Sequence, residues 1–225
     1  MASMRNDIFI LPLRQQVIFP AMRTSLSVST QSFVELCEFC EKHNRTHIGV
    51  LAVKSTKNGV DELYSTGTWC RIASHSQTTK KSGDKEVSVV TLSVEGQSRF
   101  RVERFTQTGP FHVANIQLLE ERDASDSTEV KALVQSVQQS LQELLSETPQ
   151  EKGEKGKEEG SGGSSLLRNL FGSASKRVRW PASASVLADM IAAGLSQLSV
   201  AERQKVLDTV ALKPRLEVVL DLIKK

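Results

Sequence analysis

The chain has 225 residues, 39% hydrophobic and 24% charged, which suits one large domain or two small ones with real cores. A net charge of +3 is too small to imply nucleic acid or an anionic membrane as partner, and no apolar run approaches the length of a bilayer span. Three cysteines, an odd number, argue against a disulfide scaffold and for a reducing compartment, cytoplasmic by default. Met1 to Asp7 is too short and polar for a signal peptide, and Ile223-Lys224-Lys225 is not a peroxisomal tripeptide.

The first elements are short strands. Ile8 to Leu13 is an apolar run, Arg14-Gln15-Gln16 breaks it, and Val17 to Phe19 runs into Pro20. A proline removes a ladder donor, so Phe19-Pro20 belongs at a strand edge or turn. Alternation resumes at Leu26-Ser27-Val28. Thr30 or Ser32 caps a helix to about His43 whose apolar stripe is Phe33, Leu36, Cys37 and Cys40. Ile48 to Val53 reads as a buried strand and Thr56 to Asp61 as a loop around Asn58-Gly59. Gly67 to Ile72 is a strand, Ser74 to Lys85 a polar loop, and Val87 to Val94 the clearest strand in the chain. Glu95 to Ser98 reads as a hairpin turn into Arg99 to Phe105. Gly109-Pro110 then breaks the chain before a last strand, Phe111 to Leu118. About six or seven strands with one early helix suggest a small antiparallel barrel or folded sheet.

The second half is helical. Asp126 with Glu129 is a helix-start signature, and Val130, Val134, Val137, Leu141 and Leu144 alternate at spacings of four and three, the seam of a bundle helix. Gln150 to Ser165 holds no apolar residue and cannot offset its ordering entropy, so a disordered insertion is expected at about 149–176. Val186 to Leu195 is a helix burying Val186, Leu187, Met190, Ile191 and Leu195. Ser199 with Glu202 is a capping box for a helix to about Thr209. Pro214 opens a final helix bearing Leu216, Val219, Leu220 and Ile223. The expected class is α+β, with a β-rich part over 1–122 and a helical bundle over 123–225.

Four stretches carry a family resemblance. LPLRQQVIFPAM (Leu11 to Met22) is similar to the opening of the Lon protease N-terminal domain family, with Ala21 where the family has glycine. GTWCRI (Gly67 to Ile72) and LSVEGQSRFRV (Leu92 to Val102) resemble its later strands. Leu187 to Ala192 and Arg203 to Leu207, within Val186 to Lys225, resemble its closing helices. The resemblance covers almost all of the chain outside 149–176. It implies a PUA-like pseudo-barrel followed by a helical bundle, and a non-catalytic module that recognises proteins or peptides. Such a module is either part of a full protease or stands alone.

The residues are consistent with binding rather than catalysis. No Gly-x4-Gly-Lys-[Ser/Thr] string is present to cradle ATP phosphates, and the family's Ser-Lys peptidase pair lies in a domain that this sequence does not contain. The histidines have no nucleophile context. Cys37, Cys40, His43 and His47 are the residue types of a zinc site, but they crowd one helix end and the cysteines lie on its apolar stripe, so core packing is the better reading and neither metal nor cofactor is expected. The cluster Lys176-Arg177-Val178-Arg179-Trp180 has the composition of a phosphate contact with a stacking ring; at this net charge it reads better as a solvated approach to a helix anchored by Trp180.

Phe19, Met22, Phe105 and Phe111 fall near strand edges or turns and are the candidates for an apolar peptide-binding patch. The partners implied by the resemblance are unfolded or damaged proteins, with another copy of the chain or an ATPase/protease partner. A receptor module of a ubiquitin-ligase-like complex is the alternative, with the ligase recruited because no RING-type Cys/His series is present. A PUA-like nucleic-acid binder is a further one. The compartment is the cytoplasm, or a peroxisome or mitochondrial matrix for an organellar relative.

Overall fold

Over Ile8–Leu11 both faces of the first strand, β1 (Met4–Leu13), are buried, because its side chains alternate between two cores. In the computed structural model, which describes residues 4–82, 85–121, 127–147 and 180–225, the chain divides into two units, Met1–Glu120 and Glu121–Lys225. The class is α+β, as the sequence leads one to expect.

In the first unit β1 is followed by β2 (Arg23–Ser29), α1 (Thr30–His43), β3 (His47–Lys57), β4 (Val60–Leu63), β5 (Thr66–Ser82), β6 (Lys85–Gln107) and β7 (His112–Leu119). The sheet runs β1-β7-β6-β5-β3-β4, all antiparallel, and β1 also pairs with β3 in parallel, Ile10 opposite Gly49 and Leu13 opposite Ala52. That pairing closes β1, β7, β6, β5 and β3 into a ring. A parallel pair needs a long crossover, and residues 14–46, with β2 and α1, supply it.

Every strand of the ring contributes to its interior: Ile8 and Ile10, Leu51, Trp69, Phe100, and Ala114 with Ile116. Phe100 fills the space beside Gly67, where an added Cβ would strike the Val50 carbonyl and the Phe100 ring. The opposite face of the same strands packs under α1 and β2, where Phe9, Leu11, Leu26, Val28, Leu36, Phe39, Val90 and Leu92 form the second core. Ser29, ahead of both residues expected to cap α1, accepts from the Ser32 amide.

Three expected loops are strands. Residues 56–61 form the β3–β4 hairpin, with Asn58 and Gly59 both at positive φ, the backbone a two-residue hairpin turn demands. The expected polar loop from Ser74 to Lys85 is the continuation of β5 and β6, paired as far as Ser82 opposite Lys85. Glu95 to Ser98 is no turn either: β6 runs straight through, with Gln97 as the extra residue of a bulge between the pairs Trp69–Ser98 and Cys70–Gly96. Gly96 is needed for close approach. Its N–H donates to the Met22 carbonyl and its carbonyl accepts from the Ala21 amide, both at 2.9 Å, and a Cβ there would meet the Phe19 carbonyl.

In the second unit α2 (Thr128–Glu147) starts from Ser127, whose hydroxyl accepts from the Val130 amide, and it buries Val130, Val137, Leu141 and Leu145 against α5 (Leu212–Ile223). Val134 and Leu144, expected in that seam, are half-buried. α3 (Ala184–Gly194) and α4 (Val200–Asp208) pack on α5 as well, and α4 opens with the expected Ser199–Glu202 capping box. Pro214 falls in the first turn of α5 behind Ala211 and Leu212, where its missing N–H is still no loss.

α3 buries Leu187 and Ile191, and Leu195 behind it, as expected, but its inward face is wider: Val186 and Met190 are half-buried, while Ala188, Asp189 and Ala192 are buried as well. Asp189 joins that face because it meets Arg215 on α5, which is wholly buried. Its guanidinium pairs with Asp189 at 3.3 Å and with Glu121, and donates to Ser185 Oγ at 3.2 Å and the Val210 carbonyl at 2.9 Å. The insertion expected at 149–176 lies outside the described residues, as do Lys176 to Arg179; Trp180 is half-buried. Among the described residues no helix is long and apolar enough to cross a membrane.

Two stability predictions follow from these contacts. Ala21 sits at φ 59°, a region that costs an L side chain about 1–2 kcal/mol, partly offset by the greater unfolded freedom of glycine. Ala21→Gly should therefore raise stability by about 0.5–1 kcal/mol in urea denaturation. Asp189→Asn leaves a buried guanidinium short of one countercharge and should lower stability by about 3 kcal/mol; an unchanged denaturation midpoint would show that Glu121 alone suffices.

Candidate functional site

The four residues expected to form an apolar patch do not share one place. Phe19 is 1% exposed and belongs to the core, so it supports the turn at residues 20–22 rather than offering a contact. Met22, beside it, is half-buried, and its carbonyl is tied to Gly96. Phe111 is half-buried and stacks on Phe9 with ring centroids 5.1 Å apart, backing the outer core. Phe105, near the end of β6, is the one of the four with a surface face, at 38% exposure. Gly96 and Phe105 are separated along β6 by up to about 30 Å of extended chain. Met22 and Phe105 therefore belong to separate stretches of surface.

Around Phe105 the contacts are mixed apolar and polar. Its ring meets the edge of His112 at 5.8 Å, on β7. His112 lies within the field of Asp61 on β4, and Asp61 in turn pairs with Arg14 at 3.0 Å and accepts from Thr56 Oγ1 at 2.6 Å. The two hydrogen bonds hold the Asp61 carboxyl below its ordinary range. Burial pushes the His112 imidazole down against the opposing pull of Asp61, and its Nδ1 is buried with no hydrogen-bond partner. Next to Asp61, Val60 is 71% exposed on a strand that, among the described residues, pairs with β3 alone. β4 is thus an end strand of the described sheet with an exposed aliphatic residue, Val60, on the face opposite to Asp61. Sequence reasoning missed Val60 because Asn58-Gly59 read as the middle of a loop rather than the tip of a hairpin.

The cysteine and histidine cluster does not assemble. Cys37 and Cys40 lie on α1, where burial raises both thiols, Cys40 to about 11. His47 lies on β3 with its ring stacked on Trp69 at 5.0 Å and 4° between planes. Among the described residues no group of three or more His, Cys, Asp or Glu side chains is placed to hold a metal ion. Two clefts remain. One of about 800 Å³ in the helical unit is lined by Glu121, Lys131, Val134, Gln138, Ser185 and Leu187 among others. The other, of about 330 Å³, opens where β1 and β3 begin.

Comparison with known proteins gives a consistent result. The model of the ATP-dependent protease La (LON) substrate-binding domain matches residues 7–225. A Lon protease of Anaeromyxobacter dehalogenans is 29% identical over 219 residues, covering 96% of this chain and 23% of the relative. Lon protease 2 of Myxococcus xanthus shows the same identity and coverage. The chain thus spans about a quarter of the length of these curated relatives. Among solved structures, the N-terminal domain of Mycobacterium avium complex Lon protease superposes with a TM-score of 0.61 at 16% identity, covering 97% of this chain and 98% of that one. The Lon N-terminal domain protein from Xanthomonas campestris gives 0.56 at 20% identity, covering 96% and 98%. At these identities the two structures establish the fold.

The histidine geometry predicts a pH dependence. His47, like His112, is pushed down by burial; Arg71 and Arg5 add to the effect and a hydrogen bond with Gln97 opposes it. Both imidazoles are neutral in the folded and unfolded states well above pH 6.5, and the stability tied to them is fully present there. Below that value the unfolded chain takes up protons that the folded chain resists, so stability should fall as pH drops through 6.5 toward the lowered folded values. Melting temperatures should decline over that window, before the carboxylates titrate, and His47→Gln with His112→Gln should flatten the decline.

Proposed function

The chain belongs to the ATP-dependent protease La (Lon) substrate-binding domain family, and from that premise we propose that it is a non-catalytic module that binds unfolded or extended protein segments. The observation that carries the reading is the family match across residues 7–225, which takes in both the strand ring and the helical unit. ATP-driven unfolding and peptide-bond cleavage are the work of other domains, joined to this one or acting as a separate partner. The two units, 1–122 and 123–225 by the sequence reading, act together as the recognition end of that machinery. The working compartment is the cytoplasm, in keeping with three free thiols.

The contact surface lies around Phe105. Phe105 offers an aromatic anchor, Val60 an aliphatic one, and the outer edge of β4, an end strand of the described sheet, can accept main-chain hydrogen bonds from an extended segment. Phe111 backs the outer core through Phe9, and Phe19 holds the turn that presents Met22 as a secondary contact. Binding of this kind depends on a few apolar anchors and tolerates varied sequences, which suits a protein that must take many clients.

The test is equilibrium binding of fluorescently labelled casein, an unfolded protein, to the purified chain. Phe105→Ser should weaken binding about five- to tenfold without lowering the melting temperature, and added salt should change the affinity little. No binding of casein, or hydrolysis of ATP or casein by the purified chain, would overturn the reading.

A further inference from the structure

The cleft at the start of β1 and β3 is built from cations and amides. Arg5 comes from β1, His47 from β3, Trp69 from β5, and Asn44 and Arg45 from the turn after α1. Gln97 joins them as the extra residue of the β6 bulge, the kind of insertion that re-aims a side chain toward a site. The turn is tightly specified: Asn44 adopts φ 48°, and the Asn44 and Arg45 amides meet the last carbonyls of α1, Arg45 N–H to Cys40 O at 2.8 Å. The Cys40 and Glu41 carbonyls at the negative end of the helix are thereby met by backbone.

Among the described residues, the formal charge lining the cleft is positive, from Arg5 and Arg45. No Asp or Glu lines it among the described residues. The nearby Glu95 is held by Arg71 and, at 2.5 Å, by Arg23, so its charge is already met. Arg45 gives one terminal nitrogen to the Asn6 carbonyl at 3.2 Å, while its Nε is buried and meets no acceptor. His47 is fixed by Thr46 Oγ1 at 2.9 Å and by its stack on Trp69.

We propose that this cleft binds a carboxylate of a protein substrate, with Arg5 and Arg45 supplying charge and Gln97 and Asn44 supplying neutral donors. Guanidinium groups match carboxylate geometry and form short, charge-assisted hydrogen bonds with it. A volume of about 330 Å³ suits one acidic side chain or the end of a chain. Nucleic acid fits less well. Trp69 is 9% exposed and His47 covers its ring, which leaves no free aromatic face for a base. The inference rests on the substrate-binding reading and adds a preference to it: clients that carry an acidic residue or a free C-terminus gain a polar anchor here, apart from the apolar contact at Phe105.

The experiment is fluorescence anisotropy with one labelled, unstructured peptide that carries an apolar segment and an acidic end. It is made in four forms: free C-terminus with Asp and Glu, amidated, Asp/Glu replaced by Asn/Gln, and both changes together. The acidic free-terminus form should bind about tenfold tighter than the fully neutral form. The amidated and Asn/Gln forms separate the terminal from the side-chain source of the carboxylate. Arg45→Gln should remove about tenfold of that preference and the exposed Arg5→Gln about threefold, with the neutral peptide unaffected. Arg5→Gln keeps the test decisive if Arg45→Gln melts early. If the neutral form binds as tightly as the acidic one and still responds to Phe105→Ser, the cleft proposal fails and the substrate-binding reading stands. If no form binds, both fail. If a single-stranded RNA oligomer binds and is released by Arg5→Gln while the acidic peptide does not bind, the cleft is a nucleic-acid site and the proposal is overturned.

Discussion

The parallel pairing of β1 with β3 is the constraint on which the first unit depends. With Ile10 opposite Gly49, β1 is no longer a sheet edge, and its two rows of side chains serve two cores at once. Ile8 and Ile10 help fill the ring while Phe9 and Leu11 pack under α1 and β2. Such a strand tolerates no slip in register, because a shift of one residue would exchange the two rows. Its ends are where chemistry gathers. Arg5 lies toward the start, in the cleft with His47 and Gln97, and Arg14 just past the end, paired with Asp61 beside Val60.

The helical unit is held by a different kind of interaction. A fully buried arginine is unfavourable unless its charge and donors are met, and Arg215 has Asp189, Glu121, Ser185 and the Val210 carbonyl around it. The Ser185 hydroxyl also donates to Glu121, so the group forms a connected network rather than a single pair. The network brings Asp189 into the buried face of α3 beside Leu187 and Ile191.

Elements governed by local rules were legible in the residues themselves. Alternation marked Leu26 to Val28, the i, i+3 and i+4 stripe marked α1 and α2, and Ser199 with Glu202 marked the start of α4. What misled was glycine in strands. Gly96 looks like a turn residue because local sequence offers no other reason for it, whereas its reason is the Phe19 carbonyl, far away in the chain and close in space. The candidate patch shows the same limit: four aromatic or thioether side chains near strand ends look equivalent in sequence, yet Phe19 is core and Phe105 is surface.

By itself the sequence determined the α+β class, the change from strands to helices, the Ser199–Glu202 capping box, and a family resemblance carried by short contiguous strings. Each depends on residues within a few positions of one another. The tertiary structure alone decided that β1 closes the ring, that α3 turns Asp189 inward, that Val60 stands on an end strand of the described sheet, and that Arg5, Arg45, His47 and Gln97 line one cleft. These depend on which distant strands become neighbours and on the register at which they pair. Long-range register is set by packing across the whole unit, and no local pattern records it.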